Sequence, residues 1–426
     1  MEYFLEGISV VEKFPSKARR PRPRLSYFLL IVFCLTAPVR GQESPTPAAS
    51  SSENLEWLQP GDSRLQWINV ADWEPRTGGL QPVRVPQAWR EKWPARTASR
   101  ALSAAGVAVR LKTDSRRLVI RLTWIEVPDT QRSPPEEIWE RSRPPYFDVY
   151  RDDKYLSSVP AAIRYTEQDV TVFDIPAASG QASDLMVLFP HYYRNAEVIV
   201  GGIGVEKGAR LLPPAPRTLP VVLFHGDSIT HGHGVTSPRE TYVWQACEMA
   251  NCQSLNLGFG GTAWGDRAVA EYIASRKDWD ALVIMLGTNS FGGTDSSGKP
   301  ETAGQYGRKY DSFLATVRAQ FPNKPILCVT PILSRSDMGT QKNKNGEIPQ
   351  DYRNAIRQVV EAREKADQKL YFLDGLRLIN DPMYLLVTDR IHPNMAGSLR
   401  MAEGVAAALK YILADVERGP GAARKQ

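Results

Sequence analysis

Histidine and cysteine are scarce in this chain, which limits its metal and redox chemistry. Among 426 residues there are five histidines and four cysteines, and they do not show the spacing of a zinc site. Cys34 lies in an N-terminal apolar segment, so Cys247, Cys252 and Cys328 remain. Cys247 and Cys252 are compatible with a disulfide between a helix end and the next strand, and equally with two separate buried thiols. We expect no metal and no other cofactor.

An excess of charge of one sign is also missing once the N-terminus is set aside. The formal net charge is +6, but residues 1–41 hold seven basic and three acidic residues, which leaves +2 for the rest of the chain. A nearly neutral protein does not attract nucleic acid through charge. The sequence also lacks a motif of interleaved basic and aromatic residues, so we expect no nucleic-acid partner.

A long hydrophobic run is missing at the N-terminus, where the apolar segment covers only residues 27–37. Spanning a bilayer takes about 20 residues. The segment follows the basic stretch 17–24, and the small residues Val39 and Gly41 stand at positions −3 and −1 of a cleavage site. We predict a signal peptide over residues 1–41 and export, without stable membrane insertion after cleavage. An uncleaved N-terminal anchor is the alternative.

Strand patterns dominate the next part of the chain. Residues 42–54 are polar and of low complexity, which predicts a flexible linker. Between residues 55 and 210, apolar and polar residues alternate, as at Leu118, Ile120 and Leu122, and turn residues separate these runs. The pattern predicts several short strands that form an all-β sandwich or jelly roll.

Strands and helices alternate between residues 220 and 415, after a proline-rich boundary. Helical segments separate five predicted strands, at 221–225, 254–257, 281–286, 326–330 and 370–373. Such alternation predicts an α/β domain, a parallel sheet flanked by helices, in which sites form beyond the carboxyl ends of the strands. We expect a disordered tail at residues 416–426.

Ser228 is the candidate nucleophile. It follows the first of these strands in Gly226-Asp227-Ser228, where a glycine-containing turn would expose the hydroxyl. A serine hydroxyl is a poor nucleophile until a base takes its proton. Alone, the tripeptide is more typical of a turn or a helix cap, so the identification depends on a base elsewhere in the chain.

His392 and Asp389 are the candidate base and its partner. They lie three residues apart in Thr-Asp-Arg-Ile-His-Pro-Asn, just before the last predicted helix. An aspartate so placed can hydrogen-bond the imidazole, fix its tautomer and stabilise the imidazolium. A capping aspartate beside a solvated histidine is the alternative.

Three donors are candidates for an oxyanion hole: the N–H of Ser228, the N–H of Gly261 and the side-chain amide of Asn289. Gly261 and Asn289 also follow predicted strands, in Gly-Phe-Gly-Gly-Thr and Gly-Thr-Asn. Each preorganised donor of this kind stabilises a transition state by roughly 3–4 kcal/mol. A plain glycine-rich turn and a left-handed turn residue are the alternatives.

Other residues near these motifs are weaker candidates. Asp227, His225 and Trp264 are candidates for contacting the substrate, although packing at a helix start explains Trp264 equally well. His231 and His233 form a His-x-His pair without a third ligand at a supporting spacing. We interpret both as pocket-lining or surface residues.

The blocks around Ser228, Gly261, Asn289 and His392 resemble, in this order, the four blocks of the GDSL or SGNH hydrolase superfamily, over residues 221–400. The resemblance implies a flavodoxin-like catalytic domain and ester hydrolysis without a metal. It also implies that the aspartate three residues before the histidine is its partner.

A narrower resemblance concerns residues 146–150, Tyr-Phe-Asp-Val-Tyr. They are similar to the Gly-x-Asp-Leu-Tyr motif of bacterial two-domain members with an N-terminal β-sandwich, with Tyr146 in place of the glycine. The superfamily consists mostly of esterases, including carbohydrate O-deacetylases, together with lipases and thioesterases. The implied partner is a small-molecule or polysaccharide ester.

Together, these features predict an exported serine ester hydrolase that removes acetyl groups from a carbohydrate. The signal, the accessory domain and the lack of a long apolar lid segment favour this substrate. A lipid esterase, lysophospholipase or thioesterase is the first alternative. A non-catalytic carbohydrate-binding protein on a hydrolase scaffold is the second, and the intact serine, asparagine and histidine argue against it.

Overall fold

The computed structural model of the chain describes residues 8–9, 54–126, 144–175, 180–191, 196–293, 299, 301–339 and 341–417. Most of the predicted signal peptide, linker and C-terminal tail lies outside these residues. Within them, no helix is long and apolar enough to cross a membrane.

The strands are β1 (Ile8–Ser9), β2 (Leu55–Leu58), β3 (Gln66–Ile68), β4 (Asp72–Arg76), β5 (Gly79–Val83), β6 (Ala108–Thr113), β7 (Arg117–Glu126), β8 (Tyr146–Arg151), β9 (Lys154–Pro160), β10 (Gln168–Asp174), β11 (Ser183–Leu188), β12 (Ala196–Glu206), β13 (Leu211–Leu212), β14 (Val221–Gly226), β15 (Gln253–Gly258), β16 (Ala281–Met285), β17 (Ile326–Val329) and β18 (Leu370–Leu373).

The helices are α1 (Gln87–Arg90), α2 (Ala95–Arg100), α3 (Ser228–His231), α4 (Tyr242–Ala250), α5 (Arg267–Ser275), α6 (Thr288–Gly292), α7 (Ala303–Gln320), α8 (Arg335–Met338), α9 (Pro349–Arg363), α10 (Gly375–Leu378) and α11 (Met395–Glu417). Short 3₁₀ turns cover Pro238–Glu240 and Pro382–Tyr384. The long α7 begins with a capping box, in which Thr302 and Gln305 satisfy each other's backbone N–H groups.

The C-terminal half contains the predicted parallel sheet. Its strand order is β1-β18-β17-β16-β14-β15, and the strands from the C-terminal half are all parallel. The edge strand β1 comes instead from residues 8–9, within the predicted signal peptide, and pairs antiparallel with β18. Every residue of β16, β17 and β18 is buried, because helices cover both faces. Helices α5, α7 and α9 pack on one face and α4 and α11 on the other. This confirms the predicted α/β fold class.

The N-terminal half contains two antiparallel sheets. One has the order β10-β7-β12-β5-β4, with β2 paired to β12; the other has the order β13-β6-β11-β8-β9, with β3 paired to β6. The core between them includes Leu118, Ile120, Leu122 and Trp124 of β7, as the alternation predicted. These sheets fit the predicted β-sandwich, which also carries two short helices, α1 and α2, that the strand pattern did not predict.

The strands β6, β8 and β11 of the second sheet are mostly buried, because the outer face of this sheet packs against the C-terminal half. Ala108, Tyr150, Met186 and Leu188 of this sheet form a cluster with Trp244 of α4. The Trp244 indole N–H also donates to the Tyr150 hydroxyl at 2.8 Å. The sandwich is therefore fixed to the C-terminal half by an apolar contact and this hydrogen bond.

Arg84 joins the two halves at a second place, close to the end of β15. Its guanidinium is fully buried and donates to the carbonyl oxygens of Asn256 at 2.9 Å and Gly258 at 3.1 Å. Within the N-terminal half, the Arg84 guanidinium donates to the carbonyl oxygens of Arg100 and Ser103 and to the Ser103 hydroxyl. Burial lowers the pKa of Arg84 to about 9, which leaves it charged at neutral pH.

Candidate active site

The predicted catalytic residues meet at the carboxyl edge of the parallel sheet. Ser228 follows β14, Gly261 follows β15, Asn289 follows β16 and His392 precedes α11. All four line one pocket of about 400 Å³. Loops beyond the carboxyl ends of neighbouring parallel strands converge in this way.

Ser228 is presented by a tight turn between β14 and α3. A side chain at Gly226 would place its Cβ 2.1 Å from the Thr230 hydroxyl and 2.8 Å from the Met285 carbonyl oxygen, so only glycine fits. The Asp227 carboxylate accepts the Ile229 N–H at 2.9 Å and caps α3. Ser228 is therefore the first residue of the helix.

Ser228, His392 and Asp389 form a row of hydrogen bonds. The Ser228 hydroxyl oxygen lies 2.6 Å from His392 Nε2, and His392 Nδ1 lies 2.6 Å from Asp389 Oδ2. The other oxygen, Asp389 Oδ1, accepts the N–H of Ile391 at 2.8 Å and that of His392 at 3.1 Å. The aspartate thus shapes its own loop as well as orienting the imidazole.

The Asp389 carboxyl is ionised over a wide pH range. Burial alone would raise its pKa, but the hydrogen bonds and charge of His392 and the two backbone N–H groups outweigh burial and hold the pKa at about 2. An ionised carboxylate accepts the proton of Nδ1, which leaves Nε2 free to accept a proton from Ser228.

Gly261 has a backbone conformation that requires glycine. Its φ is +71°, and a Cβ there would lie 2.8 Å from the Nη2 atom of Arg96. Its neighbour Gly260 donates its N–H to His231 Nδ1 at 3.1 Å. These contacts hold the Gly260-Gly261 turn beside Ser228, where both line the pocket.

The Asn289 amide is oriented by the backbone of the same turn. With its oxygen toward Thr262 and Ala263 it accepts their N–H groups at 3.0 and 3.1 Å. The opposite orientation would set an NH₂ donor against two N–H donors, so we assign the first one. The amide NH₂ group then faces away from these donors, on a side chain that lines the pocket.

His231 is fully buried rather than on the pocket wall or the surface. Its Nδ1 accepts the Gly260 N–H, so Nε2 carries the proton and donates to the Ser103 hydroxyl at 2.5 Å. Burial and the charges of Arg84 and Arg100 hold the pKa of His231 well below its ordinary value. This neutral histidine joins α3, which we call the nucleophile helix after its candidate nucleophile, to the Gly260-Gly261 turn, which we call the oxyanion turn after its candidate donor, and to the N-terminal half.

The three weaker candidates lie in different places. Trp264 lines the pocket. Asp227 and His225 are each 1% exposed. His225 hydrogen-bonds the Leu257 carbonyl oxygen through Nδ1 at 3.0 Å and stacks on Phe313 with a centroid separation of 5.4 Å. Burial lowers the pKa of His225 to about 4 and raises the pKa of Asp227. The side chains of Asp227 and His225 are therefore buried supports of the turn that carries Ser228.

His233 lies against His392. The ring centroids of His233 and His392 are 3.9 Å apart, and one ligand atom from each of His233, Asp389 and His392 lies within 4.8 Å of the others. Sequence spacing did not indicate this group, because the third member lies in a distant loop. Both nitrogens of His392 and both oxygens of Asp389 already take part in the hydrogen bonds described above, so we assign no metal site.

Three arginines that line the pocket were not predicted from the sequence: Arg96, Arg100 and Arg335. Arg96 and Arg100 belong to α2 of the N-terminal half, about 130 residues before the nucleophile. Their spacing of four on one helix was the available signal, but nothing in the sequence indicated that α2 lies against the catalytic turn.

Cys247, Cys252 and Cys328 are free thiols in the structure, and all three are buried. The N–H of Cys252 donates to the carbonyl oxygen of Cys247 at 3.0 Å, so the end of α4 and the start of β15 adjoin, but no disulfide joins them. The thiols lie outside the residues that line the active-site pocket.

A serine hydroxyl hydrogen-bonded to a histidine–aspartate pair, at the carboxyl edge of a parallel sheet, is typical of serine ester hydrolases. The sequence model of the GDSL-like Lipase/Acylhydrolase family matches residues 224–400, so this part of the chain belongs to that family. The chain is an ester hydrolase of the SGNH/GDSL type. A search of curated proteins found no match.

Solved structures share the fold of both halves. The salicylyl-acyltransferase SsfX3 from a tetracycline biosynthetic pathway is 22% identical, with a TM-score of 0.72 over 87% of this chain and 99% of its own. A family two carbohydrate esterase from Clostridium thermocellum, solved with cellohexaose, is 16% identical, with a TM-score of 0.54 over 82% and 99%. An acetyl xylan esterase from Butyrivibrio proteoclasticus is 13% identical, with a TM-score of 0.51 over 84% and 99%. At these identities the likeness concerns the fold.

Proposed function

We propose that Ser228, His392 and Asp389 are a catalytic triad that hydrolyses an ester through an acyl-enzyme. The observation that carries this proposal is the row of two 2.6 Å hydrogen bonds from Ser228 through His392 to Asp389. His392 Nε2 takes the hydroxyl proton as Ser228 attacks the ester carbonyl, and then gives it to the departing alcohol. Water next attacks the acyl group, with His392 again as the base, and Asp389 stabilises each imidazolium.

Three donors stabilise the negative charge of each tetrahedral intermediate by hydrogen bonds: the N–H groups of Ser228 and Gly261 and the side-chain amide of Asn289. The fixed Gly261 turn and the two hydrogen bonds that orient Asn289 support this assignment. Donors held in place before the reaction need no reorganisation when the charge develops, which is why they lower the barrier.

We propose an acetyl group on a carbohydrate as the substrate, attacked by an exported enzyme. The pocket is lined by glycines, polar side chains, arginines, one tryptophan, Trp264, and one aliphatic residue, Ile391, which suits a sugar better than a long acyl chain. Carbohydrate esterases share the fold of both halves. Export rests on the predicted signal peptide.

We also propose the domain division predicted from the sequence: an accessory sandwich at residues 55–210 and a catalytic domain at 220–415. The last sandwich strand, β13, ends at Leu212, and the first strand of the parallel sheet begins at Val221. The sandwich domain would complete the catalytic pocket through α2.

The test compares the purified protein with its Ser228→Ala variant on p-nitrophenyl acetate, butyrate and octanoate and on acetylated xylan. Ser228-dependent hydrolysis confined to acetyl esters supports the proposal. A preference for octanoate would favour the lipid esterase or thioesterase alternative. A folded wild-type protein no more active than Ser228→Ala would contradict catalysis and favour a binding protein.

A further inference from the structure

Among the described residues, the charged side chains that line the active-site pocket are all arginines, apart from the two histidines. They are Arg96, Arg100 and Arg335, and none of the described residues on the pocket wall is an aspartate or glutamate. The chain after residue 41 has a net charge of only +2. Three guanidinium groups therefore line a pocket of about 400 Å³ in a chain that is otherwise nearly neutral.

Two of the arginines are held rigidly over the oxyanion turn by α2. Thr97, between them in the helix, shares a 2.5 Å hydrogen bond with the Thr262 hydroxyl, and Arg100 Nε donates to the Gly260 carbonyl oxygen at 3.3 Å. The Arg96 guanidinium packs on Gly261, with Nη2 2.8 Å from the position of a Cβ. Arg100 is buried and braces the turn, whereas Arg96 is only half-buried.

Arg335 approaches the pocket from the catalytic loop. It is the first residue of α8, and its N–H donates to the carbonyl oxygen of Arg390 at 2.6 Å, between Asp389 and His392. Its side chain is exposed, and among the described residues it has no ion pair or hydrogen bond. It therefore presents a guanidinium at the pocket without a protein carboxylate to neutralise it.

We propose that the ester bound in this pocket carries a carboxylate, which Arg335 and Arg96 bind, and that the substrate is an acetylated uronic acid. The inference rests on the proposed function and refines it. An acetyl group has no room for a charge, so the anion belongs to the sugar that carries the ester. The planar guanidinium matches a carboxylate with two parallel hydrogen bonds.

The test uses two esters that differ only in the carboxylate: mono-acetylated methyl galacturonoside and mono-acetylated methyl galactoside. Acetate release is measured for the full chain at low ionic strength. We expect kcat/KM to be about tenfold higher for the uronic acid ester, since hydrogen bonds to charged groups have this magnitude. The preference should shrink as salt is added, because screening weakens the attraction.

Arg335→Gln is the diagnostic variant, because Arg96 also contacts the oxyanion turn and its loss would affect both esters. We expect Arg335→Gln to bring the ratio of the two kcat/KM values close to one, and Arg335→Glu to invert it. The matched control is Arg377→Gln, which removes an exposed arginine of α10 outside the pocket. This control should keep the wild-type ratio.

Two results would overturn the inference, and they are distinguishable. Equal kcat/KM values for the two esters, with acetate release that still depends on Ser228, would remove the carboxylate site and leave the esterase intact. Absence of Ser228-dependent release from either ester and from p-nitrophenyl acetate would overturn the proposed function, and the carboxylate site with it.

Discussion

His231 and Ser103 join the nucleophile helix to the N-terminal half of the chain, through a hydrogen bond of 2.5 Å between Nε2 and the hydroxyl oxygen. The same imidazole accepts the Gly260 N–H at 3.1 Å, and the same hydroxyl accepts from Arg84 at 2.7 Å. One buried chain of hydrogen bonds therefore connects the sandwich, the nucleophile helix and the oxyanion turn. The N-terminal half is thus a structural part of the active site.

Ser103→Ala should destabilise the protein and slow catalysis together. It leaves the His231 Nε2–H and one Arg84 N–H buried without an acceptor, and each such group costs about 1–3 kcal/mol. Looser support of Gly260 should also lower kcat more than it raises KM. Urea unfolding and steady-state kinetics measure both effects. Ser99→Ala, a nearby half-buried serine, is the control, and equal stability of the two variants would refute the structural role.

Gly261→Ala should reduce kcat by about 10²–10³, the usual effect of losing one oxyanion donor. The substitution strains a backbone at φ +71° and drives a Cβ against the Arg96 guanidinium. Gly346→Ala separates the two causes, because Gly346 has φ +81° but open space around it. This control carries only the backbone penalty, so it should lower the melting temperature and leave kcat near wild type. Comparable kcat losses in both variants would contradict a role for the Gly261 N–H.

Asp389→Asn should lower kcat by about four orders of magnitude, the effect of stabilising the wrong histidine tautomer in a triad. Asp381→Asn is the control, since Asp381 caps a 3₁₀ turn in the same region through the Met383 N–H at 2.9 Å. If Asp389 were only a cap, both variants would lose about 1 kcal/mol of stability and keep their activity. Kinetics with p-nitrophenyl acetate and thermal unfolding distinguish the two roles.

The parts of the site that are local in sequence could be predicted, and the parts built from distant segments could not. Asp389 and His392 are three residues apart and form a turn that their own backbone closes. Ser228, Gly261 and Asn289 each follow a strand of a parallel sheet, so the fold class alone brings them together. The strands themselves were visible because a sheet covered on both faces reads as continuous apolar runs.

No sequence pattern indicated which residues of the N-terminal half contribute to the candidate active site. Arg96 lies on Gly261 because α2 docks through Thr97 on Thr262, a contact between residues 165 apart in the chain. Hydrophobic periodicity and residue spacing describe one helix or strand at a time. How the sandwich packs on the C-terminal half depends instead on the combined shape of both surfaces. For the same reason His231 looked like a pocket or surface residue, although the sandwich buries it completely.

His225 should make the stability of the fold depend on pH. Its pKa falls from an ordinary value of 6.5 to about 4, because burial penalises the imidazolium. The folded state therefore keeps His225 neutral while the unfolded chain takes up a proton below pH 6.5. The stabilisation from this group is complete above pH 6.5 and is lost as the pH falls toward 4, by up to about 3 kcal/mol.

His225→Asn isolates this effect, because the asparagine amide can replace Nδ1 as donor to the Leu257 carbonyl oxygen and does not titrate. The variant should be less stable than wild type at pH 7.5, where it lacks the stack on Phe313, and the gap should narrow toward pH 4.5. Groups whose pKa burial raises, such as Asp227 and Glu197, change stability in the opposite direction, but they are present in both proteins and cancel in the difference. Urea unfolding at several pH values measures the gap. Parallel curves for the two proteins would mean that His225 titrates alike in the folded and unfolded states, and that its burial has no electrostatic cost.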